Sequence, residues 1–122
     1  MDDDLTARVI GLAIQVHRRL GPGLLESVYE ECLCFEFNRS SVSYNRQHPI
    51  AVVYDGVKLD CGFRIDLTVE QKLIVELKSV DKLLPLHTAQ LVTYLRLSGL
   101  KLGLLINFNA HLLKDGIRRV IN

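Results

Sequence analysis

Apolar positions recur every three to four residues at the start of the chain, at Leu5, Val9, Leu12, Val16 and Leu20. That spacing draws one apolar stripe along a helix. The acidic residues just before it suit the positive end of a helix dipole, and Gly21-Pro22-Gly23 stops the helix and permits a sharp turn. A second helical stripe runs through Leu25, Val28 or Tyr29, Cys32, Phe35 and Phe37, until Asn38-Arg39-Ser40-Ser41 breaks it.

From Val42 the pattern turns to β. Residues 50–54 form an apolar, β-branched run, Asp55-Gly56 is a hairpin turn signal, and residues 57–63 are the expected return strand. Arg64–Val69 alternates, with Ile65, Leu67 and Val69 on one face and Asp66 and Thr68 on the other. Residues 73–77 are apolar at both parities, the pattern of a central strand covered on both faces. Pro85 is placed to open a helix carrying Leu91, Tyr94 and Leu95, which Ser98-Gly99 closes. Residues 102–108 predict another buried strand, and the tail through Ile117, Val120 and Ile121 fits either a short strand or a helix. Helix, helix, β-hairpins, helix, strand and tail together predict an α/β sandwich around one mixed sheet.

Composition narrows the class without naming a function. A chain of 122 residues with 48% apolar and 24% charged residues fits one globular domain, 1–122, with one core and no linker. No apolar run is long enough to span a bilayer, and the acidic start is unlike a signal peptide, so the expected location is the cytoplasm with no membrane partner. The net charge of +1 argues against tight unaided binding to nucleic acid, yet allows a basic rim around a cleft. Cys32, Cys34 and Cys61 are an odd set, and Cys32-x-Cys34 diverges on a helix by about 200°. Reduced, structural thiols are expected rather than a zinc site.

Candidate chemistry centres on Glu76 and Lys78, two apart in a strand and therefore on one face. The ordinary alternative is a surface ion pair at a strand edge. Against it, charge at the end of a strand buried on both faces is costly unless paired or metal-bound. Asp66 lies on the preceding strand and shares that face only if the loop around residues 70–72 has an odd number of residues. An odd loop is expected. Two carboxylates on one face suit Mg²⁺, a metal can activate water toward a phosphate, and Lys78 adds positive charge beside it. The histidines, His17, His48, His87 and His111, have no ligand spacing, although His87 could line the cleft. No phosphate-binding glycine loop is present, which counts against nucleoside-triphosphate hydrolysis.

Asp66 followed by Glu76-Leu77-Lys78 resembles the D…(D/E)-x-K signature of PD-(D/E)XK nucleases. Gly23-Leu24-Leu25-Glu26-Ser27-Val28-Tyr29 matches G-x-x-E-x-x-Y, the motif of the GxxExxY family within that superfamily, and the stretches 59–67 and 104–108 are also similar to that family. The resemblance implies a restriction-endonuclease-like sandwich. It implies Glu26, Asp66 and Glu76 as ligands of Mg²⁺ or Mn²⁺, Lys78 as the catalytic lysine and Gln90 as a residue that helps position the water. The proline of the superfamily name is replaced by Ile65.

Two functions follow from these residues. One is a metal-dependent nuclease that hydrolyses phosphodiester bonds, with DNA as the expected substrate. The other is a module that keeps the fold for binding nucleic acid or protein while its acidic site is idle. Arg64, Lys82, Arg18, Arg19 and Arg46 are candidates for phosphate contacts, and a homodimer is an open expectation. Without the resemblance, Glu26 with Glu30 reads as a solvated helix face, Gln90 as a buried amide, Tyr29 as a core residue with its hydroxyl near the cleft, and Asp60 as a turn residue.

Overall fold

A computed structural model describes residues 3–122. Met1 and Asp2 of the acidic start lie outside the described residues, and the first helix, α1 (Asp3–Leu20), begins at Asp3 itself. Val9, Ala13 and Val16 form its buried stripe, while Leu20 at its end is exposed. Gly21 and Gly23, at φ 71° and 98°, turn the chain where residues with a Cβ would be strained.

The second helix, α2 (Glu26–Arg39), corrects the predicted stripe. Its buried residues are Tyr29, Glu30, Leu33, Cys34, Glu36 and Phe37, whereas Leu25, Val28 and Phe35 are exposed. Apolar residues occur on two sides of this helix, so spacing alone does not select the inner one; packing against α1 and the sheet does.

The main sheet has the order β1-β4-β5-β6-β7, built from β1 (Tyr44–Pro49), β4 (Arg64–Val69), β5 (Leu73–Lys78), β6 (Leu102–Asn107) and β7 (Ile117–Ile121). Only β5 and β6 run parallel, joined by the crossover helix α3 (Pro85–Ser98), as a parallel pair requires. Pro85 opens α3 and Gly99 closes it in a left-handed conformation at φ 77°. The tail resolves as a strand, antiparallel to β6. The predicted run 50–54 divides: Val52–Tyr54 is strand β2, paired with β3 (Val57–Leu59) in a separate two-stranded sheet. The turn between them has positive φ at both Asp55 and Gly56, as a tight hairpin requires. Residues 60–63 do not continue β3.

Two cores lie on opposite sides of the main sheet. One joins α1 and α2 to Leu67, Val69, Leu73, Val75, Leu77, Leu104 and Ile106. The other joins Leu91, Tyr94 and Leu95 of α3 to Ile65, Ile74 and Leu105. Strand β5 is therefore central and buried at both parities. The predicted alternation of β4 breaks at Asp66, because Ile65 packs with the second core and Leu67 with the first. No described helix is long and apolar enough to cross a membrane.

Candidate active site

The hairpin joining β4 to β5 fixes the relation between the two carboxylate strands. Val69 pairs with Leu73, so the loop is Glu70, Gln71 and Lys72, an odd number, as expected. Glu70 and Gln71 both take positive φ, and Lys72 N–H donates to the Val69 carbonyl at 3.0 Å. The register continues through Thr68 with Ile74 and Leu67 with Val75, which brings Asp66 opposite Glu76.

At that step the regular ladder ends and side chains take over. Glu76 Oε2 accepts the Asp66 N–H at 2.7 Å, and Asp66 Oδ2 accepts the Leu77 N–H at 2.8 Å. The two carboxylates thereby satisfy backbone donors while occupying the space between the strands. Glu76 is 5% exposed and Asp66 is half-buried. Burial, followed by the neighbouring Asp66 charge, pushes the Glu76 carboxyl up to about 8; the Asp66 N–H and the Lys78 charge oppose the shift. Burial also raises Asp66, against the Leu77 N–H and the Lys78 charge, with Glu30 and Glu26 adding to the rise. Tyr94 of α3 lies within reach of the same field: burial first, then the charges of Glu76 and Asp66, raise its phenol.

Glu26 arrives from the other side through the turn before α2. Tyr29 is fully buried and stacks on Phe108 with ring centroids 4.5 Å apart. Its hydroxyl donates to the Gly21 carbonyl at 2.6 Å and accepts the Leu24 N–H at 3.1 Å. That hydroxyl therefore ties the interhelical turn, where the sequence suggested a group near the cleft. Ser79, just past β5, donates its hydroxyl to the Leu24 carbonyl at 2.6 Å, and its N–H reaches Glu26 Oε2 at 3.3 Å. Gly23, Glu26 and Tyr29 thus form one device that docks the start of α2 onto the end of the strand bearing Glu76 and Lys78.

Glu30, one turn after Glu26, is the residue sequence reasoning missed. It is 7% exposed rather than solvated. Its Oε2 accepts Arg46 Nη2 at 2.9 Å and Nε at 3.2 Å, and its Oε1 accepts Gln47 Nε2 at 2.8 Å. Arg46 also binds Glu31 at 2.9 Å, so this candidate phosphate contact is committed to an internal ion-pair cluster. Gln47 sits at φ 48°, and the β1–β4 ladder omits the Gln47–Asp66 pair. Glu26, Ser27, Glu30, Gln47 and Asp66 line a cleft of about 280 Å³. The spacing of Glu26 and Glu30 was a usable sign of a shared face; nothing local announced Gln47.

Lys78 is half-buried at the end of β5. Gln90 is exposed on α3 and outside the residues lining the cleft, which corrects the alternative of a buried amide. Arg64 and Lys82 are exposed, and Arg19 lies 3.9 Å from Glu36. His87 Nδ1 accepts the Leu84 N–H at 2.9 Å at the start of α3. His17 is buried, with Nε2 hydrogen-bonded to the Ala110 carbonyl at 2.8 Å. Asp60 accepts the Gly62 N–H at 3.0 Å, a turn role as anticipated. The cysteines are unpaired; Cys34 is buried, but Cys61 is exposed and has no core role.

The profile of the PD-(D/E)XK nuclease superfamily matches residues 3–120. The chain belongs to that superfamily. Its mixed five-stranded sheet with flanking helices is the restriction-endonuclease-like arrangement expected of a member. No curated protein and no solved structure gives a significant match. PD-(D/E)XK nucleases generally use divalent metals, and the donor chemistry here fits one. Asp66 and Glu76 are hard oxygen donors whose proximity raises the cost of ionising both, a cost that a bound cation relieves. Among the described residues, no three His, Cys, Asp or Glu side chains stand close enough together to hold a metal ion as they are placed.

Proposed function

We propose that this PD-(D/E)XK protein is a metal-dependent nuclease of the GxxExxY type that hydrolyses phosphodiester bonds in DNA. The observation that carries this reading is the reciprocal seating of Asp66 and Glu76 between two strands, beside Lys78 on the same strand. Asp66 and Glu76, with Glu26 from α2, are the residues proposed to hold Mg²⁺ or Mn²⁺. Such an ion supplies charge neutralisation at the phosphate and lowers the pKa of water.

The chain's own groups then have distinct tasks. The Lys78 ammonium stabilises negative charge developing on the phosphate and holds the attacking water close to it. Gln90 is assigned to orienting that water. The backbone N–H groups of Asp66 and Leu77 fix one oxygen of each carboxylate, so the rotamers that face the substrate are set before binding. We assign the protein one domain, a homodimeric state and a cytoplasmic location on the same reading.

A second reading rests on the same hydrogen bonds. Oxygens that brace a strand pair have a structural use of their own, which fits a binding module with an idle site. Cleavage of labelled DNA and RNA with Mg²⁺ or Mn²⁺, against chelator, separates the two. Asp66→Asn and Lys78→Ala proteins from the same preparation run in parallel. The nuclease reading expects metal-dependent cutting that both variants lose by at least about a hundredfold. Cutting that survives in both variants refutes this assignment of the site, and a wild-type protein that cuts nothing favours the binding module.

A further inference from the structure

Gln47 stands across from Asp66 on the neighbouring strand. The pairs Arg46–Leu67 and His48–Ile65 bracket the two residues, yet the ladder omits the pair they would form. Gln47 takes φ 48°, a left-handed conformation that glutamine seldom adopts. A backbone persists there only when its surroundings enforce it, and such positions gather at functional sites. The visible restraint is Glu30. Ion-paired with Arg46 through Oε2 at 2.9 Å, it accepts Gln47 Nε2 on Oε1 at 2.8 Å. A carboxylate accepts such a bond and cannot donate it. Glu30 therefore holds the nitrogen end of the amide and leaves the oxygen end, Oε1, for the cleft. Gln47 is exposed, and it lines the same cleft as Glu26, Glu30 and Asp66.

We infer that Gln47 Oε1 is a neutral oxygen ligand of the divalent cation, beside the Asp66 carboxylate, and that Glu30 with Arg46 is the brace that aims it. This role rests on the metal reading proposed above and adds a donor to it. Among the described residues, His, Cys, Asp and Glu by themselves do not gather in the threes that hold an ion. A side-chain amide oxygen is a hard donor of the same class as a carboxylate. It also brings coordination without a further negative charge next to Asp66 and Glu76, whose proximity already opposes ionising both. Glu30 is the poorer ligand, because Arg46 holds its Oε2 through both Nε and Nη2 and Gln47 holds its Oε1.

Calorimetric titration of the full chain with Mn²⁺, paired with water-proton relaxation of the Mn²⁺ complex, tests the role; relaxation counts the waters bound directly to the ion. Gln47→Gly suits the left-handed backbone and removes only the side chain. It is expected to weaken Mn²⁺ binding about tenfold or more and to admit about one more water to the ion. Gln47→Glu sets a carboxylate against Glu30, so it is expected to be less stable than wild type in urea with chelator. Its oxygen is nevertheless expected to restore the affinity and the water count. A side chain with a structural role alone would lose stability and affinity together. If the glycine variant does not fold, Gln47→Asn, a shorter amide that tolerates the same φ, is read in its place with the same losses expected. Gln47→Gly that binds Mn²⁺ as wild type does, while Asp66→Asn abolishes binding, overturns the ligand role and leaves the metal reading standing. Weaker binding with an unchanged water count also overturns it, and makes Gln47 a positioning residue. A wild-type protein that binds no Mn²⁺ overturns both.

Discussion

Asp66 and Glu76 each place a carboxylate oxygen on backbone belonging to the other's strand. Glu76 takes the N–H of Asp66 itself, at 2.7 Å, and Asp66 takes the N–H of Leu77, at 2.8 Å. The pair is thus both a structural clasp and a concentration of negative charge in a site where Glu76 is only 5% exposed. Each hydrogen bond favours the ionised acid, while burial and the second carboxylate disfavour it, and the balance at Glu76 is a carboxyl pushed up to about 8.

That balance sets a pH dependence of stability in the metal-free protein. With a folded pKa above the unfolded value, the native state binds more protons than the unfolded chain between the ordinary carboxylate range and about 8. Stability is fully present at low pH with respect to this group and falls as pH rises through that window. In chelator, urea unfolding is expected to lose on the order of a few kcal/mol from pH 5 to pH 8.5. Glu76→Gln should flatten the curve, and added Mn²⁺ should restore wild-type stability at the alkaline end. Equal slopes for wild type and Glu76→Gln would show that this carboxyl is not the source.

Arg46 is expected to be a stability residue. Removing it leaves the buried Glu30 carboxylate with the Gln47 amide alone. Arg46→Ala should cost about 2–3 kcal/mol, somewhat below the cost of breaking a fully buried pair, because its own side chain is 36% exposed. Glu30→Gln in the Arg46→Ala background should recover part of the loss, measured as a double-mutant cycle by chemical denaturation. A loss under about 0.5 kcal/mol would mean that water already solvates Glu30.

Tyr29→Phe keeps the ring stacked on Phe108 but removes the hydroxyl that joins the Gly21 carbonyl to the Leu24 N–H. A cost of about 1–2 kcal/mol in thermal unfolding is expected. Because the same turn carries Glu26 to Ser79, the variant should also weaken Mn²⁺ binding by calorimetry. Unchanged metal affinity would confine the motif's tyrosine to folding.

The thiols should differ sharply in reactivity. Cys61 is exposed, whereas burial raises the Cys34 thiol to about 11. Thiolate is the reactive form, so a disulfide reagent at pH 8 should modify Cys61 quickly and Cys34 only after unfolding. Mass spectrometry of timed digests checks the order.

Much of this was written locally in the chain. Predominantly apolar runs at 73–77 and 102–108, against helical spacing in Leu91, Tyr94 and Leu95, separated central strands from the helix between them. Asp55-Gly56 and Gly99 marked their turns because positive φ is a property of a few residue types. The odd loop followed from parity once Asp66 and Glu76 were taken as partners in one site: with period-two strands they share a face only for odd loops. The D…E-x-K spacing and the helix-borne Glu26 and Tyr29 were likewise readable as letters.

What required the folded chain is whatever depends on surfaces meeting at long range. Apolar residues lie on two sides of α2, and only contact with α1 and the sheet makes Leu33 and Phe37 inner while Phe35 is outer. Glu30 reads like any helix-surface acid until Arg46 and Gln47, sixteen and seventeen residues away, close on it. Sequence by itself determined the order of elements as far as β6, the central strand and the identity of the acidic motif, because period and turn chemistry act between near neighbours. Tertiary structure alone decided which face of α2 is buried, how Asp66 and Glu76 clasp the strand pair and where Glu30 points, because burial and pairing are set by residues that sequence distance keeps apart.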